Sequence, residues 1–346
     1  MSLSEALDLF LPQIEVELQE VVRAPHHSLG AYYGMMRYHL GWVDEELQPQ
    51  TANSGKRLRP MVCLLACQAA GGDPARALPA AAALELVHNF SLVHDDIQDT
   101  SHTRRGRRAV WDVWGEAQGI NVGDGIFVLA RLALHHLDDR GVPLPRQHAA
   151  LLALDRACLA LCEGQYFDMT FEEQLDVDLD QYLWMIRYKT AALLAASAEM
   201  GAIVATDSQE RIRLYSYFGE NLGVAFQIQD DILGAWGDPQ VTGKSAATDI
   251  RSKKKALPAV YALNQTRDRT AARRLARLYA KPGPLDEDDI QAALEILDGV
   301  DARRYAEELE QEYYDQALQS LEQTGMESTA QSQLRELAAS LLGRSA

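Results

Sequence analysis

PARALPAAAALELVHNFSLVHDDIQDT, residues 74–100, carries the clearest structural signal in the chain. Apolar side chains return every three or four positions from Leu78 to Ile97, the period of a helix rather than the alternation of a strand. Pro79 is tolerable near the start of such a helix or at a break in it. Toward the far end, Asp95, Asp96 and Asp99 put three carboxylates within five positions, and Arg104 and Arg105 follow. Each helical residue turns about 100°, so Asp95 and Asp99, one turn apart, face the same way. His88 returns to that face within about 20°, and Asp96 stays beside it. Charge decoration of a solvated helix more often intersperses the signs. The crowding therefore predicts that acid and base are not paired with each other, and that each awaits a ligand with its own charge.

The rest of the chain reads the same way. An apolar helix opens at Pro60 and stops at Gly71 and Gly72. Helical patterns follow at 117–138, 146–169, 178–205, 208–236, 255–265 and 269–281, with two or three amphipathic helices in 286–342. DDRGVPLPR and AKPGPLDEDD read as turns rather than linkers, so one all-α domain over residues 1–346 is the economical choice. Hydrophobic residues make up 47%, enough for a sizeable core and an argument against disorder. The net charge of −17, from 50 acidic and 33 basic side chains, argues against a nucleic-acid partner or a polybasic membrane anchor. No apolar run approaches a membrane span, and the acidic amphipathic start lacks the features of a signal peptide. The expected address is the cytoplasm. Cys63/Cys67 and Cys158/Cys162 read as small buried residues in a reducing compartment rather than a metal site.

Like charges this close repel, and a hard divalent cation resolves the repulsion; oxygen-only ligands fit magnesium, which commonly bridges a few carboxylates to substrate phosphates. Three basic motifs point to the anion. SGKRLRP gathers Lys56, Arg57 and Arg59 before the helix at Pro60, with Gly55 permitting a tight backbone. TRRG supplies Arg104 and Arg105, and RYKT supplies Lys189 and Thr190. A second acidic cluster lies in FQIQDDILGAWGDPQVTGKSAATDI, where Gln227 and Asp231 share a face beside Asp230, and Lys244 and Asp249 follow. Two magnesium-type clusters with basic residues imply several phosphates. No nucleotide-type glycine loop, GxSxG elbow or HExxH motif is present.

In this order, GKRLRP, HNFSLVHDDIQD, RRG, EGQYFD, KT, FQIQDD, GDPQVTGK and DIRSKKKALP resemble the trans-prenyl diphosphate synthases, the polyprenyl synthetase family of isoprenoid synthases, from Gly55 to Pro258. The resemblance implies an isoprenoid synthase helical bundle around a deep central cavity, usually a homodimer, with two Asp-rich helices across its mouth. It implies that Asp95, Asp96, Asp99, Asp230 and Asp231 hold magnesium against an allylic diphosphate contacted by Arg104, Lys189 and Lys244. Lys56, Arg59, His88 and Arg105 fall to isopentenyl diphosphate, with Arg57 among the substrate-binding residues, and Thr190 and Gln227 fall to the neighbourhood of a developing carbocation. Phe90 and Ser91, five and four positions before the first aspartate, are where family members set product length. Their pattern suggests geranylgeranyl diphosphate, with farnesyl or longer products as alternatives. One departure stands out: the second cluster reads DDILG, with Gly234 where the family often has a third carboxylate, and whether Asp238 or Asp249 compensates is not legible. A terpene cyclase would need only one diphosphate site, and a non-catalytic subunit would not need five retained aspartates.

Overall fold

The computed structural model describes residues 2–53, 55–172, 174–237, 247–265 and 267–343. Seventeen α-helices among them carry the fold: α1 Leu3–Val21, α2 Gly30–His39, α3 Leu58–Ala69, α4 Leu78–Gln98, α5 Val110–Trp114, α6 Glu116–Ala133, α7 His136–Asp139, α8 Leu144–Glu172 and α9 Leu179–Ile186, then α10 Ala192–Ala205, α11 Gln209–Trp236, α12 Thr248–Arg251, α13 Leu257–Val260, α14 Arg269–Tyr279, α15 Glu287–Gly299, α16 Ala302–Gln323 and α17 Thr329–Leu341. One two-residue hairpin, β1 Thr103–Arg104 and β2 Arg107–Arg108, interrupts them. No helix among the described residues is long and apolar enough to cross a membrane.

The chain divides into two compact units, 1–156 with 196–216 and 325–334, and 157–195 with 217–324 and 335–346. In the first unit α4 is buried on nearly every side from Leu78 to Val87, which its alanine-rich sequence allows, and it packs against α1, α3 and α6. α6 can press on α4 because a glycine stands at the crossing: a side chain at Gly123 would run into the imidazole of His94. That contact sets the position of the acidic end of α4.

In the second unit Tyr182, Met185, Ile186, Val224, Ile228 and Leu257 form one core, and Ala235, Ile250, Leu275, Ile290 and Leu297 belong to another. The helical reading of the sequence holds, with local differences. The stretch expected as one helix over 178–205 contains a π-turn, Arg187–Ala191, between α9 and α10. The pattern over 255–265 is a short α13 followed by a second π-turn, Tyr261–Gln265. Periodicity misses such turns because one extra residue shifts the apolar face without breaking it.

Candidate active site

α4 ends at Gln98, and Asp99 caps it by donating its backbone N–H to the Asp95 carbonyl at 2.8 Å. Asp96 is 1% exposed, and burial pushes its carboxyl up while Arg104 pulls it down. The hairpin brings Arg104 back onto this turn: its Nη2 lies 2.6 Å from Asp96 Oδ1 and 3.6 Å from Asp95 Oδ2. The expectation that acid and base stay unpaired is therefore corrected. A carboxylate this deeply buried is costly alone, and Arg104 is the cation within reach. The pair is incomplete, since Asp96 Oδ2 is buried without a partner.

The hairpin turn itself is Arg105–Gly106, with φ of 54° and 77°, the two positive values that a two-residue type I′ turn requires. A non-glycine residue in this region is held there at some cost, and the result is placement. The Arg105 guanidinium lies over Gly55, where an added Cβ would sit 2.9 Å from Nη2. Gly55, itself at φ 89°, thus lets the loop before α3 and the hairpin meet. Arg105 Nη1 and Arg59 Nε are both buried without partners. Burial, eased by Glu85, lowers Arg59 to about 10, so it stays cationic at neutral pH.

Two residues change the sequence-based picture of this basic pocket. Arg57, expected to contact an anion, is 3% exposed and pairs with Glu15 at 2.7 Å and Glu85 at 2.8 Å. Its left-handed backbone, φ 49°, turns the side chain inward, so it fastens the loop to α1 and α4. His39 was not singled out, because a lone histidine on an apolar helix gives no signal. It lines the pocket with Asn53, Arg104, Arg105 and Arg107, and its Nε2 is buried without a partner. Burial, then Arg105 and Arg104, hold His39 down at about 3. His88, half-buried, is held well below its ordinary value by burial, Arg59 and Arg105. Both imidazoles are neutral at pH 7, while Lys56 is exposed. A buried donor without an acceptor costs roughly 1–3 kcal/mol. Several around one basic pocket suit an anion with many oxygens.

In the second unit, Lys189 and Thr190 sit on the π-turn, a feature often found at functional sites. Gly164 of α8 lies against this turn: an added Cβ would stand 2.6 Å from Lys189 Cα and 2.7 Å from the Tyr188 carbonyl carbon. Lys189 Nζ pairs with Asp168, which the sequence reading quoted within EGQYFD but gave no role. Thr190 Oγ1 donates to Gln227 Oε1 at 2.7 Å, and Gln227 Nε2 donates to Asp231 Oδ1 at 3.0 Å. Asp231 also accepts from the Tyr182 hydroxyl at 2.7 Å and the Leu257 N–H at 2.8 Å. Buried and bonded through both oxygens, Asp231 anchors the turn, whereas Asp230 beside it is exposed. Lys254, also unassigned from sequence, lies 3.9 Å from both Asp231 Oδ1 and Asp249 Oδ2. Burial opposes its charge, but Asp231, Asp249, Asp168 and Asp230 outweigh that and raise its pKa. A pocket here is lined by Asp168, Lys189, Thr190, Gln227, Asp231 and Lys254. Lys244 and Asp238 lie outside the described residues.

The acidic donors are all oxygens, which suits a hard cation. Among the described residues no three Asp, Glu, His or Cys side chains converge to hold an ion by themselves. Magnesium is such a cation: it retains waters and takes one or two carboxylates together with phosphate oxygens. Asp95, Asp96 and Asp99 stand at the end of α4, and Oδ2 of Asp96 is buried without a partner. Cys63, Cys67 and Cys158 are buried, and Cys162 is exposed. Phe90 is buried, its ring 5.0 Å from that of Phe127 and 5.7 Å from that of His94, and Ser91 Oγ donates to the His88 carbonyl.

Residues 41–297 match the family model described as polyprenyl synthetase. The chain is 39% identical to the (2E,6E)-farnesyl diphosphate synthase of Mycobacterium tuberculosis over 90% of this chain and 86% of that protein. It is 41% identical to the geranylgeranyl diphosphate synthase of the same organism, over 76% of this chain and 73% of that one. Among solved structures, the geranylgeranyl pyrophosphate synthetase of Pyrococcus horikoshii superimposes with a TM-score of 0.87 at 32% identity, covering 99% of each chain.

Proposed function

This chain belongs to the polyprenyl synthetase family of all-α trans-prenyl diphosphate synthases, and from that premise we propose that it condenses isopentenyl diphosphate head-to-tail with an allylic diphosphate, giving geranylgeranyl diphosphate. The observation that carries the substrate assignment is the basic pocket of the first unit. Arg105 Nη1 and His39 Nε2 are buried there without hydrogen-bond partners, and so is Nε of Arg59, which lies within electrostatic reach of Arg105. A pocket of this kind beside the carboxylates of α4 supports two anionic substrates rather than one, which disfavours a terpene cyclase.

The roles follow from the chemistry of each group. Arg59, Arg105 and Lys56 hold the diphosphate of isopentenyl diphosphate, and neutral His88 adds a hydrogen bond without further charge. Asp95, Asp96, Asp99 and Asp230 would hold magnesium, which when bound neutralises the charge that grows on a departing diphosphate. Arg104 of the first unit, and Lys189 and Lys244 of the second, would each contact diphosphate oxygens. Asp168 orients Lys189, and Asp231 orients Gln227 and, through it, the hydroxyl of Thr190 near the allylic carbon. The allyl cation is attacked by the double bond of isopentenyl diphosphate, held close by its own site. The released pyrophosphate then takes the proton. No protein nucleophile takes part.

Relatives named for farnesyl and for geranylgeranyl diphosphate are comparably similar to this chain, so product length rests on Phe90 and Ser91. One aromatic with a small neighbour supports the twenty-carbon product. A homodimer is proposed as well; α6 leaves Ile120, Val128 and Leu132 exposed on one side. The test is incubation of the purified chain with labelled isopentenyl diphosphate, magnesium and each of dimethylallyl, geranyl and farnesyl diphosphate, followed by chain-length analysis. Twenty-carbon product supports the whole reading, and product ending at fifteen carbons removes the length assignment. Prenyl product formed without isopentenyl diphosphate would indicate a cyclase. No condensation by the chain alone would indicate a non-catalytic subunit.

A further inference from the structure

RTAARRLARLY, the whole of α14, holds four arginines and no carboxylate in a chain whose net charge is −17. At about 100° per residue, Arg269, Arg273, Arg274 and Arg277 fall within an arc of roughly 140°. Ala271, Ala272, Leu275 and Tyr279 take the other side and are buried, with Leu275 and Tyr279 in the cluster that holds Ile290 and Leu297 of α15. The four arginines are exposed, and among the described residues none of them is paired with a carboxylate. The adjacent acid, Asp268, is turned to the helix end, where its Oδ1 accepts the N–H groups of Thr270 and Ala271 at 2.9 and 3.0 Å. Solvation alone does not ask for this pattern. Arg269 and Arg273, like Arg273 and Arg277, repel at i, i+4, and Arg269 sits at the positive end of the helix dipole. α16 carries the ordinary decoration of a solvated helix: Arg303 pairs with Glu307 and Arg304 with Glu308, each at 2.9 Å. The face of α14 is therefore held against its own repulsion, and a partner that brings negative charge offsets it.

We propose that the arginine face of α14 is a docking surface for an anionic phospholipid bilayer. Guanidinium groups bind phosphate oxygens through paired N–H donors, and several basic side chains on one helix face are what an anionic headgroup layer attracts. The contact is with headgroups only. The apolar face of α14 is committed to the core, and no helix among the described residues is long and apolar enough to cross a membrane. Charges farther away than about 8 Å are largely screened at physiological ionic strength, so a surface that meets α14 feels this helix more than the net charge of the chain. The choice of a bilayer over another polyanion rests on the prenyltransferase reading, whose product joins a diphosphate to a long apolar tail and partitions to such a surface.

The test sediments the full chain with vesicles of phosphatidylcholine alone and of phosphatidylcholine mixed with phosphatidylglycerol. The chain should bind the anionic vesicles and not the neutral ones, and raising the salt to about 0.5 M should release it as screening tightens. Each basic side chain near an anionic surface is worth about fivefold in partition, so Arg269→Gln, Arg273→Gln and Arg277→Gln together should lower binding roughly 100-fold. Thermal unfolding and condensation without vesicles should be unchanged in that variant, because glutamine is nearly as good a helix former and the three residues have no part in the proposed site. Arg303→Gln, Arg304→Gln and Arg335→Gln together remove the same charge elsewhere and should leave binding within about threefold of native. A native chain that ignores anionic vesicles overturns the proposal, as does an α14 variant that binds them like the native chain. Tighter retention of the native chain by polyglutamate or a single-stranded oligonucleotide than by anionic vesicles assigns the face to an acidic polymer and also overturns it. Condensation assays run in parallel separate the two readings. Condensation without vesicle binding removes this inference and leaves the proposed activity standing; vesicle binding without condensation does the reverse.

Discussion

Gly164→Ala should slow turnover far more than its single methyl group suggests. The new Cβ would stand 2.6 Å from Lys189 Cα and 2.7 Å from the Tyr188 carbonyl carbon, where ordinary contacts begin near 3.4 Å. Both obstacles are backbone atoms, so no side chain can swing aside. The π-turn must retreat by roughly 1 Å or α8 must bend, and overpacking of this kind costs about 1–3 kcal/mol. The retreat carries Lys189 away from Asp168 and Thr190 away from Gln227. A misplacement of about 1 Å in a positioned catalytic group costs roughly 100-fold in rate. The assay pairs urea denaturation with steady-state kinetics on isopentenyl diphosphate and an allylic primer. kcat should fall about 100-fold, while KM for isopentenyl diphosphate, assigned to residues of the first unit, should stay within about threefold. Gly299→Ala is the control, because nothing lies within 4 Å of a Cβ there. A Gly164→Ala enzyme with native kcat would refute the reasoning that this crossing places Lys189 and Thr190.

Three further outcomes are expected. Arg57→Ala leaves Glu85 buried without its ion-pair partner, so stability in denaturant should fall by roughly 3–5 kcal/mol; a loss below about 1 kcal/mol would return Arg57 to the list of anion ligands. His39 has a folded pKa of about 3 against an unfolded 6.5, so the unfolded state binds the extra proton between those values. Its stabilising contribution is present above pH 6.5 and is lost as pH falls; about 2 kcal/mol should disappear by pH 5, and His39→Gln should flatten that part of the profile. Phe90→Ala opens space between α4 and Phe127 and should lengthen the product, as read by chromatography of dephosphorylated alcohols; an unchanged product would remove Phe90 from the length assignment.

Much of the helical framework was legible because apolar periodicity survives in α3, α4 and α11, and their limits fall close to those read from Pro60, Gly71 and the apolar pattern. The acidic end of α4 and the basic motifs around it were legible for the same reason, since their members are near in sequence. What escaped is what depends on contacts between distant segments. Arg57 and Arg59 look alike in GKRLRP, yet a left-handed backbone at 57 sends one to Glu15 and Glu85, while Nε of the other is buried without a partner. Asp230 and Asp231 are adjacent and chemically identical, but only Asp231 meets Tyr182, Gln227 and the Leu257 N–H. His39 and Asp249 become notable only when the fold shows what lies beside them.

The central claim is that the carboxylates closing α4 hold divalent ions on an allylic diphosphate, and single-turnover condensation by Asp95→Ala and Asp99→Ala tests it most directly. The claim predicts that each variant keeps the helical circular dichroism of the native chain while its magnesium-dependent rate falls by roughly 100- to 1000-fold. Near-native rates from either variant, with magnesium still required, would contradict it.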